Sequence, residues 1–278
     1  MSLGGEPERV ARIEKRRIRG PGGLLRVWVY TPAGAPSGLL PGLVYFHGGG
    51  FVAGSLESHD GICRSLANAS GCRLVAVDYR LGPEAPFPAA VQDACAATRW
   101  AADYAPQLGI DARHICVAGD AAGGTLAAVV AQTLAAEEGP RLALQYLLCP
   151  ILDYEAKTPS RGDFGSGYLL ERETLEHDRR HYLDKTVDAG DPRISPLRAP
   201  RLEGLPAACI HTAECDPLRD EGAAYAKRLE SAGVRVSYRC HPGMIHLFYG
   251  LKAVIPYAAT AFGLMGADIR ALFQSPVV

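Results

Sequence analysis

Short apolar runs alternate with stretches of helical periodicity along this chain, from about residue 40 onward. Runs such as "LVYF", "LVAVDY" and "CVAG" have the length of buried strands, and each is followed by a segment with helical spacing of apolar residues. Strands joined by helical crossovers lie parallel, and the helices then cover both faces of the sheet. The pattern therefore predicts an α/β fold with a mostly parallel central sheet.

Two segments depart from this alternation. The stretch "RRIRGPGGLLRVWVYTP" has the turn residues of a hairpin about Gly20–Gly23, which predicts an antiparallel edge of the same sheet. Residues 153–197 are polar, aromatic and rich in turns, and they include helical stretches such as "ERETLEHDRRHYL". Because so long a connection is usually functional or disordered, we expect a small lid inserted over one end of the sheet. Residues 1–278 would then form a single domain.

The composition is that of a globular protein with a sizeable core. The 278 residues are 48% hydrophobic, and a net charge of −1 gives no reason to expect nucleic acid as a partner. The longest apolar stretch, "LAAVVAQTLAA", is far shorter than the roughly 20 residues of a membrane span. The charged N-terminus lacks the apolar centre of a signal peptide, and eight cysteines without a C-x-x-C pair fit buried reduced thiols. We therefore expect a cytoplasmic protein without a metal site.

A run of three glycines follows the strand "LVYF" in the segment "HGGG", residues 47–50. Successive glycines let the backbone approach a ligand closely and turn its N–H groups toward it. Such N–H groups stabilise the negative oxygen of a tetrahedral intermediate, each by roughly 3–4 kcal/mol. The segment therefore predicts an oxyanion hole, with a flexible glycine-rich loop as the alternative.

The segment "GDAAG", Gly119 to Gly123, lies between a strand and a helix. It has the form of a nucleophile elbow, G-x-S-x-G, but the central residue, Ala121, has no nucleophilic atom. The N–H of Ala122 would complete the oxyanion hole. An ordinary strand-to-helix turn is the alternative interpretation.

An acid and a histidine follow in the order that α/β-hydrolases use, nucleophile, acid and then histidine. Asp216 comes after the strand "AACIHTA", and His246 comes 30 residues later, after the next strand. Three other acids are alternatives to Asp216 as the partner of His246: Glu214, Asp220 and Glu221.

Taken together, these segments resemble the hormone-sensitive-lipase-like branch of the α/β-hydrolases, which includes many bacterial carboxylesterases. "HGGGFVAGS" is similar to the oxyanion motif of that family, and "GDAAGG" is similar to its elbow G-D-S-A-G-G. "VDYRLGPEAPFPAAVQD" is similar to its Y-R-L-A-P-E-x-x-F-P-A-A stretch, and "DPLRDEG" and "HLF" are similar to its acid and histidine regions. The resemblance covers nearly the whole chain.

The resemblance implies an α/β-hydrolase fold and a small-molecule ester as substrate. Position 121 would be the nucleophilic serine, His246 the general base, and Asp216 the group that orients it. The implied oxyanion donors are the N–H groups of Gly48, Gly49 and Ala122. No metal or organic cofactor is implied, and relatives of this kind often pair as homodimers through the last strand and its helix.

Two departures from the family bear on the substrate pocket. Only about a dozen residues precede the first predicted strand, where the family carries a longer helical cap, so we expect a more open site. Leu247 replaces the glycine that usually follows the catalytic histidine. If the lid bounds the pocket, the candidate substrate contacts are Tyr154, Phe164, Tyr168, Tyr182 and Leu247, with core packing as the alternative for each aromatic ring.

The alanine at position 121 leaves three hypotheses open. The first is a carboxylesterase inactivated by a laboratory Ser→Ala substitution, which would leave the glycines, Asp216 and His246 in place. The second is a natural pseudoenzyme that binds a small ligand without hydrolysing it. The third is an amidase or acyl transferase that uses the same triad. The retained elbow and acid–base pair favour the first.

Overall fold

A computed structural model describes residues 3–274, in which eight strands form one sheet. The strands are β1 Arg12–Gly20, β2 Gly23–Thr31, β3 Leu40–Phe46, β4 Arg73–Asp78, β5 Ile110–Asp120, β6 Leu144–Leu148, β7 Ala207–Cys215 and β8 Val236–Ile245. Strands β1 and β2 form the predicted hairpin, and β2 pairs antiparallel with β4. The other five pairings are parallel, and the strand order across the sheet is β1-β2-β4-β3-β5-β6-β7-β8. The predicted α/β fold is confirmed.

Helices connect the strands as the sequence predicts. The helices are α1 Asp60–Ser70, α2 Ala89–Asp103, α3 Ala122–Ala136, α4 Pro159–Asp163, α5 Arg172–Tyr182, α6 Arg219–Ser231 and α7 Tyr257–Gln274. Helix α1 is capped by Gly71, whose φ of 73° is left-handed and whose N–H donates to Ala67 O at 2.9 Å. Helix α2 begins after Pro88.

The sheet separates two hydrophobic cores. In β3, Val44 and Phe46 pack into the core that α2, α3 and α6 cover, whereas Leu43 and Tyr45 pack into the core under α1 and α7. Successive side chains of a strand point to opposite faces, so a strand buried on both faces is apolar throughout. This explains why the strands appear in the sequence as continuous apolar runs.

Residues 153–197 carry the short helix α4 and the longer α5. The buried Glu221 of α6 holds the start of this segment, because its Oε2 accepts hydrogen bonds from Leu152 N–H and Asp153 N–H at 2.8 and 2.9 Å. Its Oε1 also accepts from Arg161 Nε at 2.7 Å. Burial raises the pKa of Glu221 to about 7, against the opposing effect of Arg161.

All eight cysteines are free thiols in the described part of the chain, and five of them are buried. Within residues 3–274, no helix combines the length and the apolar character that crossing a membrane requires.

Candidate active site

The turn between β5 and α3 is a strained elbow with Ala121 at its tip. Ala121 has φ 48° and ψ −114°, a backbone conformation that L-residues rarely adopt. A Cβ on Gly119 would lie 2.1 Å from Gly123 O, and a Cβ on Gly123 would lie 1.9 Å from Phe46 O. Both flanking glycines are therefore required by close backbone contacts, which favours the elbow over an ordinary turn.

The glycine requirement predicts that Gly123→Ala disrupts the elbow. The new methyl group would meet backbone oxygens of Phe46 and His47, which the sheet holds in place. We expect the free energy of unfolding to fall by about 3 kcal/mol or more, at the upper end of overpacking costs. Urea denaturation measures the change, with Gly263→Ala in α7 as the control. A Cβ at Gly263 meets no atom within 4 Å, so that change should be neutral or stabilising by up to ~1 kcal/mol. Equal effects of the two substitutions would contradict the elbow geometry.

The ends of β7 and β8 bring Asp216 and His246 together. His246 Nδ1 lies 2.8 Å from Asp216 Oδ2, and Leu218 N–H donates to Asp216 Oδ1 at 2.8 Å. Both side chains are buried. Burial by itself lowers the pKa of His246, but the Asp216 carboxylate outweighs it and holds that pKa above its ordinary value. Because Nδ1 faces the carboxylate, Nε2 is the nitrogen left to exchange a proton with a substrate group.

The rival acids have other partners. Glu214 Oε2 accepts a hydrogen bond from Gly243 N–H at 2.6 Å, and Asp220 binds Ser160 N–H and Arg219. Glu221 binds the start of the 153–197 segment. Of the four candidates, Asp216 alone contacts His246.

The loop after β6 connects the elbow to this acid–histidine pair. Ala121 N–H donates to Leu148 O at 2.9 Å. The Sγ of the next residue, Cys149, lies within 4.8 Å of side-chain ligand atoms of both Asp216 and His246. Burial, reinforced by Asp216, raises the pKa of the Cys149 thiol well above its ordinary value, so the thiol is protonated. From the sequence alone, Cys149 is predicted only to be a buried thiol.

The predicted oxyanion role of Gly48 is wrong in this geometry. Gly48 N–H donates to Asp120 Oδ1 at 2.9 Å, so it is not available to a substrate. The N–H groups of Gly49, Gly50 and Ala122 donate to no acceptor within residues 3–274. Gly49 and Gly50 also have positive φ values of 117° and 63°. Gly50, which belongs to the same run of three glycines, therefore offers a free N–H where Gly48 does not.

Asp120, which the sequence analysis did not single out, anchors this loop from below. Its buried carboxylate accepts hydrogen bonds from Gly48 N–H, from Tyr45 OH at 2.5 Å and from Tyr249 OH at 3.3 Å. Burial would raise the pKa of Asp120, but His59 at 3.5 Å and the hydrogen bonds lower it overall. The carboxylate stays charged and holds Gly48 beside the elbow.

His47 and Tyr79 hold the other side of the loop. Their rings stack with centroids 4.4 Å apart, and Tyr79 OH donates to His47 O at 2.6 Å. His47 Nδ1 lies 2.7 Å from Gly48 O. These contacts keep the glycine backbone fixed before any ligand arrives.

A cavity of about 230 Å³ is lined mainly by the 153–197 segment. Ile151, whose N–H donates to Ala121 O at 3.3 Å, forms one wall, and Pro217, the residue after Asp216, forms another. Tyr154, one of the predicted substrate contacts, lines this cavity. The remaining lining residues are Ala156, Arg161, Gly165, Arg172, Leu175, Glu176 and Arg179.

Tyr182 is not a pocket residue, contrary to the sequence prediction. Its side chain is buried in the core, stacked on Phe51 at 4.0 Å and edge-on to Phe87 at 6.1 Å. It therefore packs the end of α5 against the residue that follows the glycine loop.

The other predicted contacts lie near the surface. Phe164 and Tyr168 pack edge-to-face with centroids 5.1 Å apart, and Tyr168 is exposed. Leu247 is half-buried, with φ 59°, and packs on the core under α1 and α7. Neither aromatic ring nor Leu247 lines the 230 Å³ cavity.

Helix α5 covers the glycine loop directly. A methyl group built on Gly50 would lie 1.8 Å from Asp178 Oδ2, so this carboxylate packs against the Gly50 backbone. Burial raises the pKa of Asp178 above its ordinary value, against a weaker opposing effect of His177. Asp178 could not be predicted from the sequence, because only the folded position of α5 brings it to the loop.

Comparisons with known proteins identify the family of this chain. Residues 43–250 match the family described as alpha/beta hydrolase fold. The ethyl acetate hydrolase of Pseudomonas putida is 45% identical over 219 residues, 78% of this chain and 68% of its own length. The carboxylic ester hydrolase LipN of Mycobacterium tuberculosis is 44% identical over 240 residues, 84% of this chain but only 63% of its own length.

A solved structure is also closely similar. It is a serine-to-alanine mutant of an alpha/beta hydrolase enzyme from the metagenome of Lake Arreo, Spain, with a TM-score of 0.95 and 42% identity. The match covers 98% of this chain and 86% of that one.

The chain belongs to the α/β-hydrolase fold family. Its relatives are named esterases and carboxylic ester hydrolases, so within that family it is a carboxylesterase-type hydrolase.

Proposed function

We propose that this chain is a carboxylic ester hydrolase whose nucleophile position, 121, carries alanine in place of serine. The observation that carries the proposal is the buried contact of 2.8 Å between His246 Nδ1 and Asp216 Oδ2, connected to a glycine-framed elbow. An acid–base pair of this kind activates a nucleophile, and at an elbow of the form G-x-S-x-G that nucleophile is a serine hydroxyl.

In the serine form, the chemistry follows from these positions. The hydroxyl at position 121 attacks the ester carbonyl, and His246 Nε2 accepts its proton. The N–H groups of Gly49, Gly50 and Ala122 stabilise the negative oxygen that forms. His246 then returns the proton to the leaving alcohol, and a water molecule repeats the sequence on the acyl-enzyme. Asp216 keeps the imidazole in the required tautomer and stabilises its protonated form.

We further propose that Ala121 results from a deliberate Ser→Ala substitution. Ala121 keeps φ 48° and ψ −114°, a strained conformation that costs on the order of 1–3 kcal/mol and serves no evident purpose without a nucleophile. The Lake Arreo relative was solved with the same type of replacement. A natural pseudoenzyme remains the second candidate, favoured by the intact cavity and glycine loop.

An amidase or acyl transferase on the same triad is the third candidate. Hydrolysis of a matched ester and amide by the Ala121→Ser variant tests the proposal against it. Ester hydrolysis well above amide hydrolysis supports an esterase, and the reverse order would identify an amidase. A folded variant that turns over neither substrate, and transfers no acyl group to an added alcohol, would favour the pseudoenzyme.

The substrate we propose is a small ester. A cavity of about 230 Å³ is below the usual range for drug-sized ligands, and one relative is named for ethyl acetate. The chain as it stands should bind such esters and not turn them over, because the cavity and the oxyanion N–H groups do not depend on the missing hydroxyl.

The proposed pocket predicts that Tyr154→Ala changes acyl-chain preference. Tyr154 is the one predicted aromatic contact that lines the cavity, so its truncation should enlarge the space beside Ile151. In the Ala121→Ser background, we expect kcat/KM for hexanoate relative to acetate p-nitrophenyl esters to rise about tenfold, the value of one to two methylenes in a pocket.

Two further variants make this measurement specific. Tyr104→Ala is the control, because Tyr104 is exposed and packs on Trp100 in α2, away from the cavity. The pair Phe164→Ala and Tyr168→Ala tests whether the surface rings also contact substrate. An unchanged preference in Tyr154→Ala would contradict this pocket.

Three remaining expectations are part of the proposal. Residues 153–197 act as the lid of a single α/β-hydrolase domain that spans the chain. The eight free thiols support a reducing compartment such as the cytoplasm. A homodimer would form along β8, the edge strand of the sheet.

A further inference from the structure

A second group of polar side chains, distinct from Asp216 and His246, is buried on one face of strands β6 to β8. Tyr146 pairs with Cys209 across β6 and β7, and His211 pairs with Arg239 across β7 and β8. Residues two apart on a strand share a face, so Cys209 and His211 point to the same side. Asp268 of α7 contacts His211 of this group. Cys209, His211 and Tyr146 are each no more than 1% exposed.

Three potential ligand atoms converge in this group. His211 Nε2 lies 3.4 Å from Cys209 Sγ and 3.4 Å from Asp268 Oδ2, and all three atoms lie within 4.8 Å of one another. Tetrahedral zinc, with bonds of about 2.0–2.3 Å, holds such atoms roughly 3.3–3.6 Å apart. The two His211 separations of 3.4 Å fall within this range.

An independent observation points into the same place. The hydroxyl of Tyr146 is buried and has no hydrogen-bond partner, which is costly for a buried polar atom. The Tyr146 ring packs against the His211 ring, with centroids 5.5 Å apart. An ion or its bound water beside Cys209 would give this hydroxyl a partner.

We propose that Cys209 Sγ, His211 Nε2 and Asp268 Oδ2 form a binding site for Zn²⁺ that joins β7 to α7. Mixed sulfur, nitrogen and oxygen donors suit zinc, and the fourth position would hold a water near Tyr146 OH. The site is separate from the proposed ester hydrolysis and does not depend on it.

The surrounding side chains act as outer partners of these ligands. His241 Nε2 lies 2.9 Å from His211 Nδ1, and Tyr257 OH lies 2.9 Å from His241 Nδ1. Arg239 donates two hydrogen bonds to Asp268, at 2.9 and 3.0 Å. Such outer hydrogen bonds orient metal ligands in known sites.

The proton balance of binding follows from this chain of contacts. Zinc at His211 Nε2 requires the proton of the His211 imidazole to be on Nδ1, where it is donated to His241 Nε2. The proton of the His241 imidazole is then on its own Nδ1, which donates it to the Tyr257 oxygen. Cys209 loses its thiol proton to solvent. Binding therefore releases one proton, and affinity should rise with pH.

Cobalt binding to the chain, stripped of metal with a chelator, tests the proposal. With a non-thiol reductant present, one equivalent of Co²⁺ should give a thiolate charge-transfer band and tetrahedral d–d bands, and Zn²⁺ should displace them. Zinc at 100 times its Kd should raise the Tm by about 5–10 °C.

Variants assign the site. Cys209→Ser should lose the charge-transfer band, and Asp268→Asn should keep the band but lose most of the zinc-induced rise in Tm. Cys149→Ser is the matched control for the metal readouts, because Cys149 belongs to the other Cys–Asp–His group, and its replacement should leave the charge-transfer band and the zinc-induced rise in Tm unchanged. A band that disappears in Cys149→Ser, or no band in the parent chain, would overturn the proposal. If Cys209→Ser does not fold, the partly exposed Asp268→Asn decides: an undiminished rise in Tm in that variant would also overturn it.

Discussion

Ala121→Ser should convert this chain into an active esterase, with turnover of p-nitrophenyl acetate about 10⁶ times that of the parent. That factor corresponds to about 8 kcal/mol of transition-state stabilisation at 1.36 kcal/mol per tenfold change in rate. The gain is large because His246, Asp216 and the N–H groups of the glycine loop already occupy their positions. Only the attacking hydroxyl is missing.

The pH dependence and one control make this expectation specific. His246 must be unprotonated to accept the proton, and Asp216 raises the pKa of His246 above its ordinary value. Turnover of the Ala121→Ser variant should therefore rise as the pH increases through that raised pKa. The double variant with His246→Ala should return to the parent rate. A residual rate near that of Ala121→Ser would contradict the assignment of the base.

Asp216→Asn in the Ala121→Ser background should lower turnover by about 10⁴, the cost of the wrong histidine tautomer in a related triad. The substitution also removes the negative charge that raises the pKa of His246. The acid limb of the pH–rate profile should therefore move to lower pH, a shift that a merely structural defect would not produce.

Glu214→Gln is the matched control for this substitution. Glu214 lies two residues away, is exposed and binds Gly243 N–H instead of His246. Its replacement should leave both the rate and the profile unchanged. A near-normal rate in Asp216→Asn, with a loss in Glu214→Gln, would transfer the acid role to Glu214.

The fold could be predicted from the sequence because its signals are local. Each buried strand is a continuous apolar run, and helix ends such as Gly71 carry their own stop signal. The order of acid and histidine after successive strands likewise predicted the contact between Asp216 and His246, because parallel strands end at the same edge of the sheet.

The errors at the site have a different origin. Whether Gly48 or Gly50 offers a free N–H depends on Asp120, which lies 72 residues after Gly48 in the chain and accepts the hydrogen bond of the Gly48 N–H. Tyr182 and Tyr154 are both aromatic residues of the 153–197 segment and cannot be told apart by the sequence. In the fold, however, Tyr182 lies at the end of α5 and stacks on Phe51 in the core. Asp178 reaches Gly50 only through the packing of that same helix. These outcomes depend on tertiary contacts that no local pattern encodes.

The central claim is that position 121 is a nucleophile position, activated by His246 within an intact oxyanion hole. Mass spectrometry after treatment with a p-nitrophenyl phosphonate ester tests it most directly, since a phosphonate traps an activated serine. The Ala121→Ser chain should gain one phosphonyl group, located by peptide mapping on residue 121, with release of one equivalent of nitrophenol. The parent chain should gain none. A folded Ala121→Ser chain that stays unmodified, or a label on another residue, would contradict the account.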